Sequence, residues 1–131
     1  MLVAARGRLR ALSARDIMPC IGDAKGAAMA TVGQPYTCGI WSVREGSEEE
    51  FVTRWTALVE SANSILGAQS FILIQDRQDP RRFISFGAWD GWAAADGWRS
   101  TEAFGERMRA CRELCEDFRP NDSMLRVAIG V

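Results

Sequence analysis

The chain has 131 residues, enough for one domain, and its hydrophobic (47%) and charged (25%) fractions are those of an ordinary globular protein. Its formal net charge of -1 gives no electrostatic footprint for nucleic acid, and no apolar run reaches the roughly 18 residues of a membrane helix. The chain contains no histidine, which removes the commonest general base and the commonest transition-metal ligand.

The N-terminal segment, residues 1–33, shows no sustained hydrophobic periodicity and is rich in Ala, Gly and Arg. Its first 15 residues carry no acidic side chain, so one interpretation is a targeting peptide and the other is a disordered extension. We favour the extension, with little order before Gln34. The folded domain is therefore predicted to span residues 34–131.

Residues 36–43 (YTCGIWSV) have the composition of a first strand and end at a turn. Ser47 followed by Glu50 is the pattern of a capping box, which opens a helix. Its apolar residues recur at three- and four-residue steps, as expected for a buried stripe: Phe51, Trp55, Leu58, Ala62 and Ile65. Gly67 is suited to end this segment.

Residues 68–76 and 82–89 read as a hairpin of two strands around a turn that contains Pro80. A link carrying Trp92 leads to a long helix over about 101–117, which Pro120 terminates. Residues 123–131 supply a fourth strand. The order β-α-β-β-α-β predicts an α+β fold of the ferredoxin-like type, an antiparallel sheet with helices on one face.

Both faces of the predicted sheet are apolar. Phe71, Ile72, Leu73 and Ile74 run without a polar break, whereas a sheet with one wet face alternates. Helices can cover only one face, and a bare apolar sheet face is larger than soluble monomers tolerate. We therefore expect a homodimer in which two sheets pack together.

The cysteines, Cys20, Cys38, Cys111 and Cys115, do not have the spacing of a zinc site, and small apolar packing is the favoured interpretation. Without a secretory signal, reduced thiols and a cytoplasmic location are expected. Dinucleotide, P-loop and nucleophile-elbow motifs are missing from the sequence, and we predict no cofactor and no metal.

Three segments together resemble the antibiotic biosynthesis monooxygenase family: PYTCGIWSVREGSEEEF, GAQSFILIQDRQDPRRFISFGAW and the spacing through WRSTEAF. The resemblance covers about residues 34–130. It implies a dimeric α+β barrel and oxygenation by molecular oxygen without metal or flavin. The implied substrate is a small aromatic phenol, anthrone or hydroquinone.

The resemblance also implies site residues. In the aromatic-polyketide oxygenases a Trp ends the third strand, an Asn precedes it by four residues and a Tyr follows it by six. These positions fall on Trp89, Ser85 and Ala95. Trp98 matches a Trp of the haem-degrading branch, but that branch's His and Asn positions fall on Met108 and Gly39, so haem degradation is not expected.

The catalytic candidates are therefore Trp89, Trp98 and Ser85, although packing is the favoured explanation for Trp89 and an equal alternative for Trp98. We expect a cavity between helices and sheet, further lined by Phe86, Trp55, Phe51, Asn63, Met108 and Phe104. Asp90 and Asp96 are the candidate bases, and helix capping is the alternative explanation for each. A non-catalytic dimeric module that binds a small aromatic metabolite is the alternative function.

Overall fold

A computed structural model describes residues 30–130, of which Val32–Ile129 form one compact unit. Most of the predicted extension, residues 1–29, lies outside the described residues, as does Val131. No helix within the described range is long and apolar enough to cross a membrane.

The fold is α+β, with a four-stranded antiparallel sheet and three helices. The elements are β1 (Pro35–Val43), α1 (Glu48–Glu60), β2 (Ala68–Gln75), β3 (Arg82–Trp89), α2 (Trp92–Arg99), α3 (Glu102–Arg112) and β4 (Cys115–Met124). The strand order is β2-β3-β1-β4, so β1 and β3 are central. This confirms the predicted ferredoxin-like class.

Helix α1 begins at the predicted place, directly after Ser47, with three glutamates in its first turn. The predicted capping box is not formed, because the Ser47 side chain makes no capping hydrogen bond and the Glu48 carboxylate accepts the Gly46 N–H instead. The acidic first turn still complements the positive end of the helix dipole. Phe51, Trp55 and Leu58 are buried as predicted.

The second half of the chain departs from the prediction in two places. The segment of Trp92 was predicted as a link, but it forms helix α2, and the following helix ends at Arg112 rather than near Asp117. Between them Thr101 caps α3, its hydroxyl accepting the Phe104 N–H at 3.1 Å. The predicted link is therefore a helix, and the predicted long helix is shorter than expected at its C-terminal end.

Strand β4 occupies residues 115–124, not 123–131 as predicted. Pro120 lies inside it, opposite Gly39, because β4 is an edge strand and pairs only with β1. Proline lacks the N–H of a ladder but is tolerated on an edge. Leu125 is partly buried, whereas residues 126–130 are exposed, including Val127 (71%) and Ile129 (87%).

One face of the sheet carries the core. Phe51 of α1 contacts Trp41 of β1 and Phe83 of β3, with ring centroids 5.1 and 5.0 Å apart. Successive residues of a strand point to opposite faces. The opposite face therefore presents Ile40 and Ile84, together with Ile72 and Ile74, which are 54% and 48% exposed. This second apolar face is open to solvent in the single chain.

Gly39, at the centre of β1, leaves room for the packing around it. A Cβ at this position would lie 2.8 Å from Phe118 Cε1 and 3.2 Å from Ser85 Oγ. Gly39→Ala is therefore expected to lower the free energy of unfolding by about 1–3 kcal/mol, through overpacking. Urea denaturation measures this loss.

The matched control is Gly105→Ala in α3, where a Cβ meets nothing within 4 Å. This substitution should raise the free energy of unfolding by about 0.5–1 kcal/mol, because alanine loses less backbone entropy in a helix. Equal effects of the two variants would contradict the packing argument.

Candidate functional site

A cavity of about 500 Å³ lies between the sheet and the helices. Most of its wall is apolar, and seven of its lining residues are large aromatics: Trp41, Trp55, Phe71, Phe86, Trp98, Phe104 and Phe118. Its size is within the range of small-molecule sites, which are concave and mostly apolar with a few placed polar groups. The cavity is therefore the candidate functional site of the described residues.

All four strands and all three helices contribute residues to the wall. The floor comes from the central strands β1 and β3, through Thr37, Ser85 and Gly87. The three helices α1, α2 and α3 form the sides of the cavity. The edge strand β4 forms its rim with Pro120 and Asp122. The site thus depends on the α1–β1–β3 core and on the placement of β4.

Trp98 is the centre of the aromatic wall. It is 4% exposed, and its ring centroid lies 4.7 Å from Phe104, 5.4 Å from Trp89 and 5.7 Å from Phe71. Such tilted and edge-on pairs are favoured by the quadrupoles of aromatic rings. The packing fixes the Trp98 ring, so the wall that a ligand meets is rigid.

Three tryptophans donate their indole N–H to a hydroxyl oxygen. Trp41 Nε1 donates to Ser85 Oγ at 3.0 Å, and Trp89 Nε1 donates to Thr37 Oγ1 at 3.0 Å. Trp98 Nε1 donates to Ser61 Oγ at 2.9 Å. Each buried indole is thereby satisfied, as buried polar groups generally are.

The three hydroxyls differ in where their own proton goes. Ser61 Oγ donates to the Leu58 carbonyl at 2.5 Å. For Ser85 and Thr37, by contrast, no group within residues 30–130 accepts the hydroxyl proton, and both line the cavity. Since a hydroxyl carries one proton and two lone pairs, these two can donate to a ligand.

The rim holds one ion pair. Arg99 Nη1 donates to Asp122 Oδ2 at 3.1 Å, and Arg99 Nη2 donates to Asp122 Oδ1. These hydrogen bonds raise the pKa of Arg99 above its ordinary value, which keeps it cationic. Within the described wall Arg99 is the only cation and Asp122 the only anion, so the charges balance.

The structure brings six of the predicted site residues to the cavity wall: Ser85, Trp98, Phe86, Trp55, Met108 and Phe104. Five others lie elsewhere. Trp89 is fully buried behind Trp98, and Phe51 is fully buried among core rings, so neither lines the cavity. Asn63 is exposed beyond the end of α1.

The two predicted bases also lie off the wall. Asp90 is exposed and accepts a hydrogen bond from Gln69 Nε2. Asp96 has 70% of its side chain exposed and lies 3.7 Å from Arg99. Asp90 precedes α2 and Asp96 lies on the solvent-facing side of that helix, so the carboxylate on the described cavity wall is instead Asp122.

Sequence reasoning missed Thr37, Arg99 and Asp122. Asp122 was missed because β4 was assigned to later residues, and Arg99 because the segment around it was not predicted as a helix. Thr37 lies four residues before Trp41 in β1, so the two side chains point to the same face of the sheet. This alternation is the sequence signal from which the position of Thr37 could have been predicted. It could have placed Thr37 on the floor.

The three described cysteines are poor nucleophiles at neutral pH, because their thiols stay protonated. Burial raises the pKa of Cys111 to about 12 and that of Cys115 to about 11, so both are protonated at neutral pH. Burial also raises the pKa of Cys38. Within residues 30–130 no three His, Cys, Asp or Glu side chains are grouped so as to hold a metal ion.

Solved structures share this fold at low sequence identity. A Shewanella oneidensis protein is 20% identical, with a TM-score of 0.64, and the match covers 72% of this chain and 93% of that one. A Pseudomonas aeruginosa protein is 22% identical, with a TM-score of 0.62 over 76% and 99% of the two chains.

The chain is also similar to SnoaB, a cofactor-independent oxygenase from Streptomyces nogalater. The identity is 14%, the TM-score is 0.69, and the match covers 76% of this chain and 99% of SnoaB. At these identities the likeness shows the fold. Comparison with curated proteins finds no significant match.

The family model described as antibiotic biosynthesis monooxygenase matches residues 40–110, more than half of the chain. The matched range begins in β1 and ends in α3, so it spans the cavity floor and most of its helical wall. The chain therefore belongs to the antibiotic biosynthesis monooxygenase family.

Proposed function

We propose that the protein is a cofactor-independent monooxygenase that oxidises a small phenol, anthrone or hydroquinone with molecular oxygen. The observation that supports this most directly is the cavity itself: about 500 Å³, walled by aromatic rings, with two hydroxyl donors on its floor. An apolar cavity suits both a planar aromatic substrate and oxygen, and the hydroxyls suit an anion formed on that substrate.

The proposed reaction begins with loss of a proton from the substrate and continues with electron transfer to oxygen. An anthrone-type substrate first loses a proton from its reactive carbon, and the resulting carbanion gives one electron to oxygen. Recombination forms a hydroperoxide, and loss of water leaves a carbonyl. One oxygen atom enters the product and the other leaves as water, so the step balances without an added reductant.

Asp122 is the proposed proton acceptor, because it is the carboxylate on the described cavity wall. A carboxylate is a much weaker base than the substrate anion, so the unassisted transfer is uphill. Stabilisation of the substrate anion must offset this cost. Ser85 and Thr37 donate to the anion in our proposal, and once Asp122 has taken the proton the Arg99 guanidinium leaves a net positive charge at the rim.

One observation favours the alternative function, a binding module without turnover. Ala95, at the position of the family's Tyr, is fully buried in α2 and offers no hydrogen bond. The same aromatic cavity would then hold a metabolite without oxidising it. Oxygen uptake separates the two functions.

We further propose a homodimer formed through the open face of the sheet. Ile72 and Ile74 are about half exposed there, beside Ile40, Ile84 and Phe86. Burial of such a face in a two-fold contact removes apolar surface from water.

The free thiols Cys38, Cys111 and Cys115 support a reducing, cytoplasmic location.

The activity is tested by oxygen uptake with a panel of hydroquinones and anthrones. Wild-type protein is expected to exceed the uncatalysed rate, and Asp122→Asn is expected to lower kcat by roughly 10²-fold or more, the range of a lost general base. Asp96→Asn is the matched control, because Asp96 pairs with the same arginine but lies off the wall. It should retain wild-type kcat.

Uptake at the uncatalysed rate, together with quenching of tryptophan fluorescence by the same compounds, would establish the binding module instead. Equal losses in the Asp122 and Asp96 variants would rule out Asp122 as the proton acceptor.

The dimer is tested by sedimentation at micromolar concentration. Wild-type protein is expected to sediment as a dimer, and Ile74→Lys, which places a charge on the open face, is expected to sediment as a monomer. Leu66→Lys is the control, since Leu66 is 96% exposed in the turn before β2 and not on the sheet. A monomeric wild-type protein, or equal dissociation of both variants, contradicts the interface.

A further inference from the structure

We infer that Thr37 and Ser85 make the cavity selective for hydrogen-bond-accepting oxygens, so that it binds the phenolate or quinone form of an aromatic ligand in preference to the neutral phenol. This inference rests on the aromatic ligand class of the proposed function. It assigns a binding role to Thr37, a position that carries no family site residue in our reading of the sequence.

The argument begins with the direction of the hydrogen bonds. Trp89 Nε1 points at Thr37 Oγ1 and Trp41 Nε1 points at Ser85 Oγ, both at 3.0 Å. An indole N–H can only donate, so each hydroxyl oxygen must accept. Each hydroxyl proton is then directed away from its indole, and within the described residues nothing else accepts it.

The two hydroxyls are placed to act on one ligand. Thr37 pairs with Gly87 and Ser85 pairs with Gly39, so the hydroxyls are diagonal neighbours on adjacent strands, with Cα atoms about 7–8 Å apart. Gly39 and Gly87 have no side chain, so nothing rises from the cavity floor between the two hydroxyls. At Gly87 a Cβ would lie 2.8 Å from Thr37 Oγ1, so any larger residue would crowd that hydroxyl.

The surroundings strengthen a preference for anions. Charge-assisted hydrogen bonds are roughly twice as strong as neutral ones, and an apolar wall screens them little. The charged groups on that wall, Arg99 and Asp122, are paired with each other. Cys38 also lines the cavity. Its thiol is kept neutral because burial raises its pKa. None of these groups adds a net charge that opposes a bound phenolate.

The test follows the ionisation of 4-nitrophenol, whose phenolate has a separate visible absorption, bound to the full-length protein across neutral pH. Because two charge-assisted hydrogen bonds favour the phenolate, the pKa of the phenol bound to wild-type protein is expected to lie about two units below that in the Thr37→Val/Ser85→Ala double variant, which keeps the apolar wall without the donors. Thr37→Val and Ser85→Ala should each raise it again by about one unit. Thr37→Ser, which keeps the hydroxyl, should restore the wild-type value.

Ser61→Ala is the matched control. Ser61 also accepts an indole N–H, but its proton goes to Leu58 and it does not line the cavity. This variant leaves a buried indole without its partner, as the other two do, yet should not move the bound pKa. A shift equal to that of Thr37→Val would overturn the inference by showing a general packing effect.

A second measurement needs no variant. Nitrophenol affinity for wild-type protein should rise with pH relative to that of 4-nitroanisole, which cannot ionise. Binding with no pH dependence of this ratio overturns the inference and the anion-stabilising role of Ser85 and Thr37, while oxygen uptake still decides separately whether the protein is an oxygenase. If the hydroxyls lower the pKa of bound 4-nitrophenol but no oxygen uptake occurs, only the oxygenase proposal is overturned. Failure of 4-nitrophenol to bind overturns both, since both require an aromatic site.

Discussion

The need of each buried indole N–H for an acceptor is the constraint on which the site depends. Trp41, Trp89 and Trp98 are all less than 5% exposed, and each places its N–H on a hydroxyl of a neighbouring element. An unpaired buried donor costs about 1–3 kcal/mol, so these partners are part of the core. Two of the three accepting hydroxyls, those of Ser85 and Thr37, lie on the cavity floor. The hydrogen bonds that satisfy the buried indoles therefore also direct these two hydroxyl protons into the cavity.

Much of the fold could be predicted because its local signals agree. In β1, α1 and the β2–β3 hairpin, the alternation, the acidic first turn and the turn residues all indicate the same element, and the structure has those elements. Trp55, Phe104 and Met108 lie on helices whose apolar stripes the periodicity defines, and they reach the cavity wall. Ser85 and Trp98 were implied by the family resemblance instead.

The last third could not be assigned in this way, because its pattern fits two structures. Cys111, Cys115 and Phe118 have the spacing of a helical stripe, but the chain leaves the helix after Arg112 and Phe118 stacks on Trp41, with centroids 3.9 Å apart, from a strand. Pro120 looks like a terminator in sequence and is an edge-strand residue in the sheet. Only tertiary pairing with β1 decides between them, and that pairing brings Asp122 to the rim.

The central strands connect the cavity to the open face of the sheet. Ser85 faces the cavity floor, whereas its neighbours Ile84 and Phe86 alternate to the other side, although part of Phe86 still reaches the wall. A shift of one residue in the pairing of β3 with β1 would exchange these two sets of side chains. Gly39 and Gly87 resist such a shift, since their positions oppose Ser85 and Thr37 and tolerate no Cβ. The register that orients the hydroxyls therefore also determines which apolar residues a second copy would meet.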